Sequence, residues 1–597
     1  MDKAIEKRIQ EWLGNDYDQD TRSEIQKLID DGNHKELTDR FYQDLDFGTG
    51  GLRGVIGAGT NRINTYTIRK ATQGLATYII KQGPSAVKKG VAVAYDSRHK
   101  SPEFALETAL VLAGNGIKAY LYESLRPTPL LSFAVRYLGA QGGVNVTASH
   151  NPKEYNGYKV YWDDGGQVVP PHDKNIISEV RQITSLSQVK LLDKETALKR
   201  GLLIYIGEEV DNAYIDKVLP LSLNPQIVKQ VGDSVSIVFT PLHGAGITMI
   251  PKLLDRMGFK RLHIVEQQKD PDPDFSTVVS PNPEESAAMK LALEKARELD
   301  ADIVLATDPD ADRLGVAVKD SKGKFVLLSG NQTGSLIIYY VLSQLKAKGK
   351  LPENGVVIKT IVTTELQREI AAGFDIECID VLTGFKYIAE KILEFETQGV
   401  PGKPSKIFLA GGEESYGYLI GTHVRDKDAV IAAAIIAEIA AYARFKNTTV
   451  FGILEEIYRE YGYYSEKLKS LVYKGKEGMD TISSIMRQLR ENPPKTVAGV
   501  KVNYIGDYQK GITVEPIKKQ TIGTIDLPAS NVLAFCLIDG TTITIRPSGT
   551  EPKIKIYLSS MEKNDSKSLD QAREDVKKRL EMFLDEFISL IEELVNQ

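Results

Sequence analysis

Three aspartates stand at alternate positions in Thr307-Asp308-Pro309-Asp310-Ala311-Asp312-Arg313, directly after the apolar run Ile303–Ala306. On a tight loop such carboxylates converge on one hard cation, and an oxygen-only donor set suits Mg2+ or Ca2+. An EF-hand register would need glycine and glutamate where Arg313 and Lys319 stand, so that reading fails. Three carboxylates leave octahedral Mg2+ room for further oxygens, of which a phosphate oxygen is a natural one. A second reactive candidate is Thr147-Ala148-Ser149-His150-Asn151-Pro152, set after the strand-like GGVNV. Taken alone it reads as a capped turn. It lacks the strained G-x-S-x-G elbow of hydrolases, and the adjacent His150, retained as a catalytic candidate, does not by itself make a triad. If Ser149 reacts it needs another activation, which a phosphoryl group on the serine supplies by making it a donor.

Two further loops offer binding chemistry. In Gly411-Gly412-Glu413-Glu414-Ser415-Tyr416-Gly417, after the strand candidate Lys406–Leu409, the glycines permit unusual backbone angles, while carboxylate and hydroxyl suit vicinal sugar hydroxyls. The nearby His423-Val424-Arg425-Asp426-Lys427-Asp428 either brings cations to a phosphate, serves proton transfer, or is a charged turn capping the next helix through Asp428. Arg546-Pro547-Ser548-Gly549-Thr550 lies between the alternating strands TTITIR and KIKIYLS. It is either a plain hairpin turn or a concave anion site built from an arginine fork, two hydroxyls and backbone N–H groups.

The elements that must position these loops alternate along the chain. Residues 1–40 read as helices, with Ile5, Ile9 and Leu13 on one face and Ile25, Leu28 and Ile29 on another. Residues 41–220 carry strand candidates Gly90–Ala94, Lys118–Tyr122 and Gly143–Thr147 among helices such as Ser101–Asn115, the pattern of an α/β domain. A second α/β block, 221–330, contains strand candidates Val235–Thr240, His263–Val265 and Ile303–Ala306 and the Pro-rich loop DPDPDFSTVVSPNPEE, longer than compact domains usually keep without purpose. A third, 331–460, holds Gly355–Thr360, Lys406–Leu409 and an apolar helix after Asp428 whose apolar run ends at Glu438. The fourth, 461–597, ends in an amphipathic helix with Leu569, Ala572, Val576, Leu580, Phe583, Phe587, Leu590 and Leu594 on one face.

A chain of 597 residues needs several cores, and 42% hydrophobic residues supply them. The net charge of −5 leaves no basic excess for a nucleic-acid backbone or an anionic membrane, so any phosphate site must be local. Only Cys378 and Cys536 are present, as in a reduced cytoplasmic protein, and MDKAIEKRIQEWL has no signal-peptide pattern.

In this order, the four loops closely resemble the α-D-phosphohexomutase family, above all its phosphoglucomutase and phosphopentomutase branch, through TASHNPKEYNGYKVYW and GEESYG. The resemblance spans about residues 47 to 557. It implies a four-domain α/β architecture, three related mixed α/β domains and a smaller α+β C-terminal one, around a central cleft. It also implies that Ser149 is the phosphoserine and that Asp308, Asp310 and Asp312 hold Mg2+ with one phosphoserine oxygen. Glu413 and Ser415 would bind sugar hydroxyls, and Arg546, Ser548, Gly549 and Thr550 the phosphate that is not reacting. Arg53 in FGTGGLRG and Arg98 in YDSRHKS match arginines near the reacting phosphate, and Lys159 matches a lysine proposed as general acid or base. Lys386 in TGFK, His423, Arg425 and Lys427 are further candidates around the substrate.

The expected reaction interconverts glucose 1-phosphate and glucose 6-phosphate through glucose 1,6-bisphosphate, which serves as intermediate and activator. Positioning and charge neutralisation should dominate, with Arg313 or Arg53 opposing the phosphate oxygens. Lys159 can act as base only if its pKa is depressed. Pentose or mannose phosphates, a bisphosphate synthase, a phosphatase and a non-catalytic sugar-phosphate binder remain as alternatives.

Overall fold

A computed structural model describes residues 2–45, 51–400, 403–473, 475–548, 553–563 and 567–596. The chain forms two compact units, Met1–Gly330 with Ile388–Val450, and Asn331–Tyr387 with Phe451–Gln597.

In the first unit, a six-stranded sheet runs in the order Gly51–Val55, Tyr155–Trp162, Gly142–Val146, Val91–Tyr95, Ala119–Tyr122, Leu203–Ile206. The last four are parallel, and Tyr155–Trp162 is antiparallel to both of its neighbours. A five-stranded sheet follows the order Phe325–Leu327, Leu314–Lys319, Ile303–Thr307, Ser236–Thr240, Arg261–Ile264, with the last three parallel. Every residue of Gly142–Val146 and of Ile303–Thr307 is buried, as expected of strands covered on both faces. Their C-terminal ends emit the Ser149 and Asp308 loops, where open α/β sheets place their sites.

Helices Lys3–Trp12, Gln19–Asp30 and His34–Phe41 pack Ile5, Ile9, Trp12, Ile25, Leu37 and Phe41 around Tyr66. The apolar helix spans Ala429–Phe445 and continues past the Glu438 that ends its apolar run. That carboxylate is buried because it accepts the backbone N–H groups of Leu223 and Asn224 at 2.8 and 2.7 Å. No helix among the described residues is long and apolar enough to cross a membrane.

In the second unit, Gly355–Thr360 pairs in parallel with Glu377–Val381. An antiparallel sheet runs in the order Tyr463–Val472, Lys553–Glu562, Thr542–Pro547, Leu533–Leu537, Val500–Asp507, Ile512–Glu515, Gln520–Thr524. The helix Leu569–Asn596 packs Val576, Leu580, Phe583 and Phe587 into the core with strand residues such as Ile543 and Ile556. This is the amphipathic face read from the 3.6-residue period.

Candidate active site

The backbone of Ser149 is left-handed, with φ +53°, a conformation that side chains with a Cβ rarely hold. The sequence showed no strained elbow here; the strain is visible only in the fold. The loop sustains it through its own hydrogen bonds. Ser149 N–H donates to Thr147 Oγ1 at 2.8 Å, and Thr147 Oγ1 donates to the buried carboxylate of Asp96 at 2.6 Å. Ser149 is 3% exposed, and its Oγ lies 2.7 Å from Asp308 Oδ2 and 3.2 Å from His150 Nδ1. Burial, with Arg313 and Arg53 nearby, pushes the His150 pKa well below that of a free imidazole, so the ring is neutral at neutral pH.

The metal loop turns at Ala311, φ +47°, and the Asp308 carboxylate closes it by accepting the N–H groups of Asp312 and Arg313 at 3.2 and 3.1 Å. Asp308, Asp310 and Asp312 are buried, with one ligand oxygen from each within 4.8 Å of the others. Among the described residues, the buried Asp310 Oδ1 and Asp312 Oδ1 have no hydrogen-bond partner. Burial and the charges of Asp310 and Asp312 push Asp308 well above the usual carboxylate range. Burial would do the same to Asp310, but Lys159 and then Lys427 outweigh it and hold that carboxyl below its usual range. Unpartnered buried carboxylate oxygens and mutual repulsion fit a site for a divalent cation.

Two lysines converge on this cluster. Lys159 Nζ lies 2.8 Å from Asp310 Oδ2 and 3.4 Å from Asp312 Oδ2, and Lys427 Nζ lies 3.1 Å from Asp312 Oδ2 and 2.9 Å from Asp426 Oδ1. The depression that base catalysis by Lys159 would require is not found. Burial lowers its pKa, but Asp310 and Asp312 together outweigh burial and raise it, so here it is an ammonium ion. Arg313 also faces the site, its Nη1 2.7 Å from Glu284 Oε1.

The sugar-type motif is a hairpin in which Ile407–Glu413 pairs with Gly417–Ile420. Its glycines do not supply unusual angles: Gly411 and Gly412 lie within the strand, and the left-handed residue is Tyr416, φ +65°. Gly412 serves a close approach, since a Cβ there would meet Gly417 O at 2.3 Å. Leu314 N–H donates to Tyr416 O at 2.9 Å, tying this turn to the metal loop. Glu413 lies within electrostatic reach of Arg313 and Lys427, and Ser415 is half-buried on the same turn.

Arg98, His423 and Arg425 have their partners inside the protein. Arg98, expected near the reacting phosphate, is 1% exposed and donates to the carbonyls of Ser149, Asn151, Pro152 and Tyr155, bracing the seryl loop from behind. His423 is buried with Nε2 2.8 Å from Asp428 Oδ2, and its ring meets Tyr214 edge-on. Asp428 caps the following helix by accepting from Val430 N and Ile431 N, while Lys427 of the same stretch reaches the aspartate cluster. Arg425 is buried too, donating to the carbonyls of Thr422 and Val424 and to Glu396. Arg53 Nη1 donates to Asn151 Oδ1 of the seryl loop at 3.4 Å.

In the second unit, Arg546 Nη1 donates to Thr383 Oγ1 at 2.5 Å, which sets the TGFK turn against the Arg546 loop. Lys386 of that turn lies over the Tyr387 ring, 5.0 Å from its centroid. Ser548 N–H donates to Lys553 O at 2.8 Å, closing the hairpin between Thr542–Pro547 and Lys553–Glu562. Gly549 and Thr550 lie outside the described residues.

Sequence reading missed several contributors. Thr128 donates through Oγ1 to Asp310 Oδ2 at 3.0 Å and through its N–H to Asp310 O at 2.8 Å. Ala245 N–H donates to Pro309 O at 2.7 Å, and a Cβ on Gly244 would meet Pro309 Cα at 2.3 Å. The signals were the punctuated segments RPTP and LHGAG, whose glycines and prolines mark close backbone approach.

Residues 44–187, 212–323 and 329–461 match the phosphoglucomutase/phosphomannomutase alpha/beta/alpha domains I, II and III, in that order. A phosphoglucomutase of Staphylococcus haemolyticus is 38% identical over 534 residues, covering 87% of this chain and 91% of that protein. The phosphoglucomutase of Staphylococcus aureus strain MRSA252 is 38% identical over 532 residues, covering 88% and 91%. Among solved structures, the Paramecium exocytosis-sensitive phosphoprotein parafusin, in its open form, superposes with TM-score 0.66 at 18% identity, covering 93% of this chain and 96% of that one. A phosphoglucomutase/phosphomannomutase family protein of Burkholderia thailandensis gives TM-score 0.61 at 18% identity, covering 92% and 97%. With three successive domain matches and this identity across nearly the whole of its relatives, the chain belongs to the α-D-phosphohexomutase family.

Proposed function

We propose that this protein is a phosphoglucomutase that carries its phosphoryl group on Ser149 and interconverts glucose 1-phosphate and glucose 6-phosphate. The observation that carries the reading is the 2.7 Å approach of Ser149 Oγ to Asp308 Oδ2 at the edge of three buried aspartates. The names of the staphylococcal relatives supply the sugar.

Asp308, Asp310 and Asp312 are the residues that would hold Mg2+. Bound there, Mg2+ would supply charge neutralisation for a phosphoryl group on the adjacent serine. The chain's own residues do the rest. As the Ser149 Oγ–P bond breaks, a bond forms from phosphorus to a free sugar hydroxyl oxygen, giving glucose 1,6-bisphosphate and a free serine. The other phosphate of the bisphosphate then returns to Ser149 Oγ, and no water is consumed. Arg53 and Arg313, beside the seryl loop and the metal loop, oppose the phosphate oxygens. Lys159, held as an ammonium ion by its carboxylate neighbours, is placed to hand a proton to the sugar oxygen that departs when the bisphosphate returns its other phosphate to Ser149. Glu413 and Ser415 offer partners to sugar hydroxyls, and in the second unit Arg546 and Ser548 carry donors suited to a phosphate.

Purified protein given glucose 1-phosphate, Mg2+ and catalytic glucose 1,6-bisphosphate should form glucose 6-phosphate without stoichiometric release of inorganic phosphate. Free phosphate in place of the isomer, or no turnover on any hexose or pentose phosphate, would overturn the reading.

A further inference from the structure

The Pro-rich segment 270–285 takes no part in the chemistry described so far, yet it touches both reacting loops. Its own fold is tight. Asp272 accepts the N–H groups of Asp274 and Ser276, each at 2.9 Å, and Thr277 Oγ1 is shared by His243 Nε2 at 2.8 Å and Gln268 Nε2 at 3.0 Å. These bonds present Phe275 in the left-handed region, φ +47°, with its ring 1% exposed. Such a conformation persists in a bulky residue only where its surroundings fix it.

The ring lies against Arg98, 5.1 Å from the guanidinium carbon to the ring centroid. Further along, Ser280 Oγ reaches His150 O at 3.5 Å, and Glu284 Oε1 pairs with Arg313 Nη1 at 2.7 Å. Asp274 Oδ1 meets Lys153 Nζ at 3.0 Å and His99 Nε2 at 3.2 Å, exposed pairs that contribute little by themselves.

Arg98 is the link to the serine. Its guanidinium edge binds the carbonyls of Ser149, Asn151, Pro152 and Tyr155, and its Nε lies 3.2 Å from Asp96 Oδ2. Asp96 also accepts from Thr147 Oγ1, which in turn accepts the Ser149 N–H. Both backbone polar groups of Ser149 are thereby tied to one buried ion pair. A guanidinium spends its donors in its plane and has none for its faces, so an aromatic ring is the partner that covers a face without competing for those donors.

We propose that segment 270–285 is a strap holding the Ser149 loop and the metal loop in register, and that Phe275 is its positioning residue, acting on Ser149 through Arg98. The inference rests on the mutase reading for its catalytic readout alone. Without the ring, the guanidinium face is open to water and the four carbonyls lose a fixed partner, so the serine is less well aligned for transfer.

The test compares Phe275→Leu and Phe275→Met, which keep an apolar side chain without a ring, with Phe275→Tyr, which keeps the ring. Amide exchange in the 147–152 peptide should speed up about tenfold in the Leu and Met variants. Their kcat should fall about tenfold with KM within about twofold of the parent. Loss of phosphoryl from Ser149 to water, followed by intact mass, should become faster, and Phe275→Tyr should restore all three. Folded Leu or Met variants with parental exchange and kcat overturn the strap, as does a Tyr variant as impaired as Leu. An inactive parent with altered exchange in the variants would instead count against the mutase reading and leave the strap standing. Glu284→Gln, assayed in the same way, should reproduce the kcat loss from the metal-loop end of the segment; a parental kcat there would confine the strap to Arg98 and overturn its claim on the metal loop.

Discussion

Ser149 Oγ and Asp308 Oδ2 are 2.7 Å apart in space and 159 residues apart in sequence, joining a loop of the first sheet to a loop of the second. Ser149 itself is therefore the first place to test the chemistry. Ser149→Ala should lose at least about a thousandfold in kcat, and intact-mass analysis should find a phosphoryl group on a fraction of the parent chains and none on the variant. A phosphorylated Ser149→Ala chain would place the acceptor elsewhere.

The aspartate cluster repels itself when it holds no cation. Chelation should abolish turnover and Mg2+ should restore it. In chelator, Asp308→Asn removes one of three converging carboxylates and should be more stable than the parent by about 1 kcal/mol. With Mg2+ the order should reverse, because only the parent gains stability by binding the ion to its folded state. Thermal unfolding with and without Mg2+ measures both; a variant less stable than the parent in chelator would contradict the repulsion argument.

Under the proposed function Arg546 would bind the phosphate that does not react, so its loss should weaken ground state and transition state alike. Arg546→Ala is expected to raise KM about tenfold or more while kcat changes about threefold or less. Steady-state kinetics with glucose 1-phosphate separate the two parameters. A collapse of kcat at unchanged KM would move Arg546 from binding to the chemical step.

Glu466, in the second unit beside Thr364 and Asn331, has its carboxyl pushed up to about 7 by burial. Between the ordinary carboxyl value of 4.5 and about 7, the folded chain holds a proton that the unfolded chain has released. The resulting stability is present at the acid end of that window and is lost as pH rises through the folded pKa. Tm should therefore fall from pH 5 to pH 8 through this group. Glu466→Gln should remove that slope and be more stable at pH 8 by on the order of 1 kcal/mol, less than the full linkage value because the residue is partly exposed. Parallel Tm profiles for parent and variant would rule the linkage out.

The sequence by itself determined the loops, because their chemistry is local. Three aspartates at alternate positions after an apolar strand offer an oxygen-only donor set that could hold a cation, and Asp428 before an apolar run offers a helix cap. Periodicity was enough for the C-terminal helix, whose Val576, Leu580, Phe583 and Phe587 are buried as their spacing requires.

Direction and charge balance belong to the tertiary structure. Residue type offers Arg425 as a cation for a phosphate and resemblance puts Arg98 near one, but only the fold shows both buried and donating to backbone carbonyls. Lys159 stands ten residues from Ser149, yet its protonation is set by Asp310 and Asp312, which chain distance hides. The Ser149 conformation and the Phe275 contact likewise depend on partners far along the chain. Residue type and spacing fix what a loop can bind, whereas the partners that orient a side chain or shift its proton come together only when separate sheets pack.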